Sequence, residues 1–211
     1  LARALAPDHD VVVVAPRHNM SGTGTGMGVA HDTIPMRRWP LADIEAYAIE
    51  GPPGLAVMSA ALGAFGDPPD LVVSGVNAGL NTGHSIIHSG TVGAALTAHT
   101  FGGRGIAVSL APSDPWHWET AAVIGARVAR WALTHRPRAA LNVNVPAVGV
   151  TDIVGIRWAP LDTFGHFTVA NADPTARELV LEVVDRSTGR MPNTDTALCL
   201  EGYVTLTAIE P

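Results

Sequence analysis

The segment Val11-Val12-Val13-Val14-Ala15, closed by Pro16, narrows the choice of fold more than any other. A short, continuous run of apolar, β-branched residues fits a strand buried on both faces, as in a parallel sheet covered by helices. Similar short strands are expected at Leu71-Val72-Val73-Ser74, at residues 105–110 and at Leu141-Asn142-Val143-Asn144-Val145 before Pro146. Helical patterns fall between them. Residues 1–6 read as the last turns of a helix stopped by Pro7 and Asp8. Pro52-Pro53 opens a second helix over residues 54–64, and Pro68-Pro69-Asp70 is a stop. Ser89 is placed as an N-cap, where its hydroxyl takes a free backbone N–H, with a helix to about Thr100 and Gly102-Gly103 after it. Residues 118–133 form an amphipathic pattern. Alternating strands and helices imply an α/β fold with a parallel, helix-covered sheet.

Residues 43–50 alternate as a further strand ending at Gly51, while 17–30 and 75–88 read as long loops. Beyond about residue 150 the character changes. Residues 153–158, 179–185 and 202–209 read as strands with loops between, and Cys199 falls in a helical stretch as a packed apolar residue. The chain divides on this reading into an α/β core over 1–150 and a β-rich extension over 151–211 that returns to the core.

Composition excludes several kinds of chemistry. All 13 basic residues are arginine, so a P-loop lysine, a Schiff-base lysine and a kinase-type lysine are ruled out. The formal net charge of −6 gives no sign of a nucleic-acid groove. The single cysteine rules out an intrachain disulfide and a cysteine-rich zinc site, which suits a reducing cytoplasm. No apolar run approaches the length of a membrane span, and no signal peptide is visible at the start.

In open α/β sheets ligands bind beyond the carboxyl ends of the strands. Two such ends carry unusual loops: Arg17-His18-Asn19-Met20-Ser21-Gly22, and Ser74-Gly75-Val76-Asn77-Ala78-Gly79-Leu80-Asn81 leading to His88-Ser89-Gly90-Thr91-Val92-Gly93. From Leu71 to Gly103 there is no Asp, Glu, Lys or Arg. A neutral polar loop entering a helix N-terminus is a natural anion cradle. A capped buried helix with turn glycines has the same composition, and the residues alone leave both readings open. Ser21 and Asn77 offer neutral oxygens that can complete a hard-cation site but cannot make one without carboxylates. Asp8, Asp10 and Asp70 precede their strands, at the wrong end of the sheet for such a site. Gly83-His84-Ser85-Ile86-Ile87 fails the nucleophile-elbow pattern at Ile87, and the 22–28 glycines fail the dinucleotide fingerprint. His84 and His88 have zinc-ligand spacing only on a helix, which the loop composition between them argues against.

Val12-Val13-Val14-Ala15-Pro16 with Asn19 and Ser21-Gly22, the block from Pro69 to Asn81 and Gly83, and Ser89-Gly90-Thr91-Val92-Gly93-Ala94-Ala95 together resemble the survival-protein SurE family. Ala107-Val108-Ser109-Leu110, Asn142 to Pro146, Thr194-Asp195 and Gly202-Tyr203-Val204 follow in the family's order, so the resemblance spans essentially the whole chain. The resemblance implies a Rossmann-like core with a β-rich arm used in dimers and tetramers. It implies a metal-dependent phosphatase acting on nucleoside 5′- and 3′-monophosphates, with Mg²⁺ or Mn²⁺ held by an Asp-Asp pair, a serine and an asparagine. The serine corresponds to Ser21 and the asparagine to Asn77. Gly22, Asn81, Ser89, Gly90 and Thr91 are then expected around the phosphate. The Asp-Asp pair belongs to a first strand and loop expected before Leu1, so no catalytic residue is named within the chain. His84-Ser85 stands where the family usually has an acidic pair, and His88 where an aromatic is common. These departures leave two alternatives: a phosphatase for another small phosphate ester, and a non-catalytic binding or scaffold protein. Trp158, Phe164 and Phe167 supply apolar anchors for an oligomer arm over roughly 151–193.

Overall fold

The computed structural model describes residues 1–28, 33–163, 167–169, 183–185 and 191–210. In chain order the elements are α1 (Ala2–Leu5), β1 (Val12–Pro16), β2 (Met36–Arg38), β3 (Glu45–Ile49), α2 (Pro53–Ala61), β4 (Val72–Ala78), a 3₁₀ turn (His84–His88), α3 (Gly90–Thr100), β5 (Gly105–Leu110) and α4 (Trp118–His135). They continue with β6 (Ala140–Val145), a 3₁₀ turn (Val150–Asp152), β7 (Gly155–Trp158), β8 (Phe167–Val169), β9 (Val183–Asp185), α5 (Asp195–Leu200) and β10 (Tyr203–Ile209).

The main sheet has the order β4-β5-β6-β10-β7. β4, β5 and β6 run parallel through right-sized helical crossovers, as the alternating pattern requires. β10 returns antiparallel beside β6, with Thr205 opposite Asn144 and Thr207 opposite Asn142, and β7 closes that edge in parallel with β10. A second sheet has the order β1-β3-β2, with β1 parallel to β3 and the short β2 antiparallel to it. Among the described residues β1 and β4 each have one paired neighbour only. The two sheets are joined by helices: α2 packs on β1 and on α3, and α3 packs on β4, β5 and β6.

One face of the main sheet is apolar. Ile106, Val108 and Leu110 of β5, Leu141, Val143 and Val145 of β6, and Val204 and Leu206 of β10 meet Ala121, Ile124, Val128 and Ala132 of α4. Burying each large aliphatic side chain here contributes about 1.5–3 kcal/mol. Gly125 lets α4 approach closely, because a Cβ there would stand 3.3 Å from Val108. The carboxylate of Asp8 accepts from Nε and Nη2 of Arg130 on the outer side of α4, so it serves as a surface tether for α1.

The structure departs from the sequence expectation in three places. The strand expected at 71–74 continues to Ala78, and the segment 75–88 is not all loop. Gly75 and Asn77 have poor strand propensity, yet pairing with Val108 and Ser109 of β5 holds them in the sheet with a register shift between them. The segment 84–88 forms a 3₁₀ turn, against the expectation that it is not helical. With three residues per turn, His84 and His88 point about a third of a turn apart, so they do not form a ligand pair. β2 escaped the sequence reading because its three residues are exposed and carry no alternation. Of the strand expected at 179–185, residues 183–185 form β9, paired antiparallel with β8. Residues 179–182 and Phe164 lie outside the described residues.

Candidate active site

Two loops leave the carboxyl ends of β1 and β4 and meet at the N-terminus of α3. In the first, Asn19 Oδ1 accepts from both the backbone N–H of Ser21, at 3.2 Å, and Ser21 Oγ, at 2.8 Å. The hydroxyl hydrogen of Ser21 is therefore spent inside the loop, and its lone pairs face solvent. Thr23 Oγ1 donates to Met20 O, and Gly24 N donates to His88 O at 3.1 Å, which pins the first loop to the second. A side chain at Gly93 would strike Gly24 O, so only glycine lets α3 come this close. Arg17 bonds Glu50 at 2.7 Å and holds that carboxyl below the usual glutamate range. The pair anchors the base of the loop at the end of β3.

In the second loop Asn77 Nδ2 donates to Gly79 O at 2.9 Å. This fixes the amide orientation, because a carbonyl accepts only from the NH₂ end. Asn77 Oδ1 is therefore the outward atom, and Thr91 Oγ1 lies 3.4 Å from it. Ser89 caps α3 as the sequence indicates, its Oγ accepting from Val92 N at 3.2 Å. The backbone N–H groups of Gly90 and Thr91 belong to the first turn, which has no intrahelical acceptor. Thr91 thus links the Asn77 oxygen to the helix terminus, and Gly22 sits beside Ser21 with φ +87°.

Asn81 is held against the sheet through its side-chain amide and its backbone. Its Nδ2 donates to Ser109 Oγ at 2.7 Å, and its backbone N–H donates to Asn144 Oδ1 at 2.9 Å. Its carbonyl accepts from Nδ2 of both Asn142 and Asn144. Asn81 is a clamp that holds the loop on the sheet. Ser109, Asn142 and Asn144 are all fully buried. They alternate with the apolar positions of β5 and β6, and sequence reasoning gave them no role. The signal was present in the Asn-Val-Asn-Val alternation, which places two amides on one face of a strand whose other face is core.

A second missed residue is Asp195, also fully buried. Its Oδ2 accepts from Gly83 N at 3.0 Å, and its Oδ1 from Asp162 N and Thr196 N. Desolvation pushes its carboxyl above the usual aspartate range, and the three backbone donors pull against that shift. Asp195 ties the 79–89 loop to α5 and to the start of the C-terminal extension.

Ser21 Oγ and Asn77 Oδ1 are hard, neutral oxygens with lone pairs available, so they suit part of the shell of a Mg²⁺-like cation. Among the described residues no group of three or more His, Cys, Asp or Glu can hold a metal, so the chain's own described donors stop at that neutral part. Among the described residues no helix is long and apolar enough to cross a membrane.

Known proteins resemble this chain in both sequence and fold. The family described as "Survival protein SurE" matches residues 1–165. The 5′-nucleotidase SurE of Nitrosococcus oceani is 36% identical over 219 aligned residues, covering 100% of this chain and 84% of the relative. That of Dehalococcoides mccartyi is 33% identical over 216, covering 99% and 82%. The crystal structure of the SurE protein from Aquifex aeolicus superposes with a TM-score of 0.83 at 28% identity, covering 99% of this chain and 86% of that one. The chain belongs to the SurE family.

Proposed function

We propose that this SurE-family chain is a metal-dependent phosphomonoesterase that hydrolyses nucleoside 5′-monophosphates, and 3′-monophosphates as well. The curated relatives named 5′-nucleotidase SurE support the substrate class. The observation that carries the reading is the fixed amide of Asn77, whose Oδ1 is turned outward beside Thr91 at the open end of α3. In the reaction a water oxygen bonds to phosphorus, the ester P–O bond breaks, and the leaving ribose oxygen takes a proton. A bound divalent cation, Mg²⁺ or Mn²⁺, supplies charge neutralisation and an activated water. Ser21 and Asn77 would hold that cation from the protein side. The N–H groups of Gly90 and Thr91, with the α3 dipole, would stabilise charge on the phosphoryl oxygens. Gly22 leaves room for the phosphate, and Ser89 keeps the helix end open to it. Asn81 acts through the loop it clamps.

By family resemblance the rest of the cation shell is a pair of aspartate carboxylates, which Ser21 and Asn77 would complete. Exposed Val154, Ile156 and Trp158 on and beside β7 support a homodimer or larger assembly through the 151–211 extension. The free, buried Cys199 is consistent with the cytoplasm.

The test is phosphate release from nucleoside monophosphates and, in parallel, sugar phosphates, by the full chain, with and without Mg²⁺ or Mn²⁺. Metal-dependent release from the nucleotides is expected. Asn77→Ala should lower kcat by about 100-fold while the protein stays folded, with a loss of only about 1 kcal/mol from the Gly79 hydrogen bond. Undiminished metal-dependent turnover in that variant would remove Asn77 from the site.

A further inference from the structure

Three arginines play no part in the function proposed above. Arg104 directly precedes β5, and Arg136 and Arg138 lie in the turn between α4 and β6. With His99 in the last turn of α3 and Glu210 after β10, they line an open cleft of about 580 Å³. The cleft lies at the amino ends of β5 and β6. The length of the strands, roughly 17–20 Å, separates it from the Ser21 and Asn77 loops.

Among the described residues Arg17, Arg38 and Arg130 pair with Glu50, Glu45 and Asp8, while Arg3, Arg37, Arg127 and Arg157 are spread singly over the surface without such a pair. Among the described residues none of the three cleft arginines reaches a carboxylate. Arg104 Nε is buried and has no hydrogen-bond partner. A buried N–H of a cation without an acceptor is costly, and among the described residues no hydrogen bond within the protein ties up the Arg104 guanidinium, so its outer nitrogens can turn to an anion in the cleft. The helix ends account for part of the charge, since His99 and Arg136 offset the C-terminal dipoles of α3 and α4. Arg104 and Arg138 lie beyond those ends and converge with Arg136 on the one cleft. Guanidinium forks bind pairs of phosphate oxygens, and the cleft has room for more than one phosphate group.

We propose that Arg104, Arg136 and Arg138 form a second, non-catalytic site that takes a phosphate-bearing anion. Glu210 on its rim weakens binding by repulsion. The probe is methylenediphosphonate, whose P–C–P bridge resists hydrolysis, titrated calorimetrically into the metal-loaded protein and into protein in EDTA. Binding is expected in both conditions and should weaken as salt is raised. The double variant Arg104→Gln with Arg138→Gln should weaken it by about tenfold or more, and Glu210→Gln should tighten it about threefold. Asn77→Ala should leave it unchanged. Equal affinity in the double variant, or binding lost in Asn77→Ala, overturns the proposal. Should the double variant not fold, Glu210→Gln still decides, because unchanged affinity there counts against the site. Turnover measured alongside is a separate readout: retained binding with no phosphatase activity speaks only against the catalytic function.

Discussion

The two faces of the main sheet are built from the same strands and do different work. On the α4 side, Ile106, Val108, Leu141, Val143, Val145 and Val204 form a dry aliphatic layer. On the opposite side, Ser109, Asn142, Asn144, Thr205 and Thr207 are equally buried but polar, and three of them grip Asn81 through four hydrogen bonds. The first face supplies stability through area removed from water. The second spends buried polar groups to fix one loop in one place, which a non-directional apolar contact cannot do. Stability and site geometry are therefore separable by mutation along a single strand.

The sharpest test of this division is the pair of β6 positions Leu141 and Asn144, three residues apart and on opposite faces. Asn144→Ala strips the Asn81 backbone of one acceptor and one donor inside the protein. The expected result is a fall in kcat of about 100-fold together with a loss of about 1–3 kcal/mol in stability. Leu141→Ala should cost about 2–5 kcal/mol through the cavity it leaves, with kcat per folded molecule nearly unchanged. Equal kinetic damage from both, measured under conditions where each is folded, would break the distinction between the faces.

Asp195 extends the polar face into the C-terminal segment, and its titration gives the next largest effect. Its folded-state carboxyl is raised by burial, so the folded protein binds the proton more tightly than the unfolded chain does. The contribution of that proton to stability is fully present below the ordinary aspartate value and is lost as pH rises through the raised one. Relative to Asp195→Asn, which does not titrate, the wild type should therefore lose stability across that acidic window. The Asn variant also turns an NH₂ toward one of the donors Gly83, Asp162 or Thr196 and should cost about 1–3 kcal/mol at neutral pH. Melting temperatures of the two proteins between pH 3 and 7 check both statements. A constant difference would show that Asp195 keeps its proton state throughout.

The apolar face was the legible one. The continuous runs and the 118–133 pattern mark its strands and α4 because area burial is written in residue type and period. Ser21 was legible as a loop residue and Ser89 as a cap. The role of Asn81 was not, because its partners Ser109 and Asn144 stand 28 and 63 residues away in the chain. Asp195 reaches Gly83 across 112 residues, and no local pattern encodes such a bond. The strand character of Gly75 to Asn77 was hidden for the same reason, since it is imposed by β5. Cys199 was read correctly, and burial pushes its thiol up to about 12, so it is inert at neutral pH.

The smallest effect asked of the molecule is also the one that best separates structure from function at the end of α3. Ser89→Ala removes the hydroxyl that accepts from Val92 N and should cost about 1 kcal/mol. Ser89→Asp restores a good cap, and its charge suits the helix dipole, so stability should return to the wild-type value or exceed it slightly. If the Gly90 and Thr91 N–H groups receive a phosphate, that same carboxylate repels it, and KM should rise about tenfold or more while the fold is intact. Stability rescued without activity places the anion at this helix end. Stability and KM both restored would leave Ser89 a cap and nothing else, and would move the phosphate toward the Ser21 and Gly22 loop.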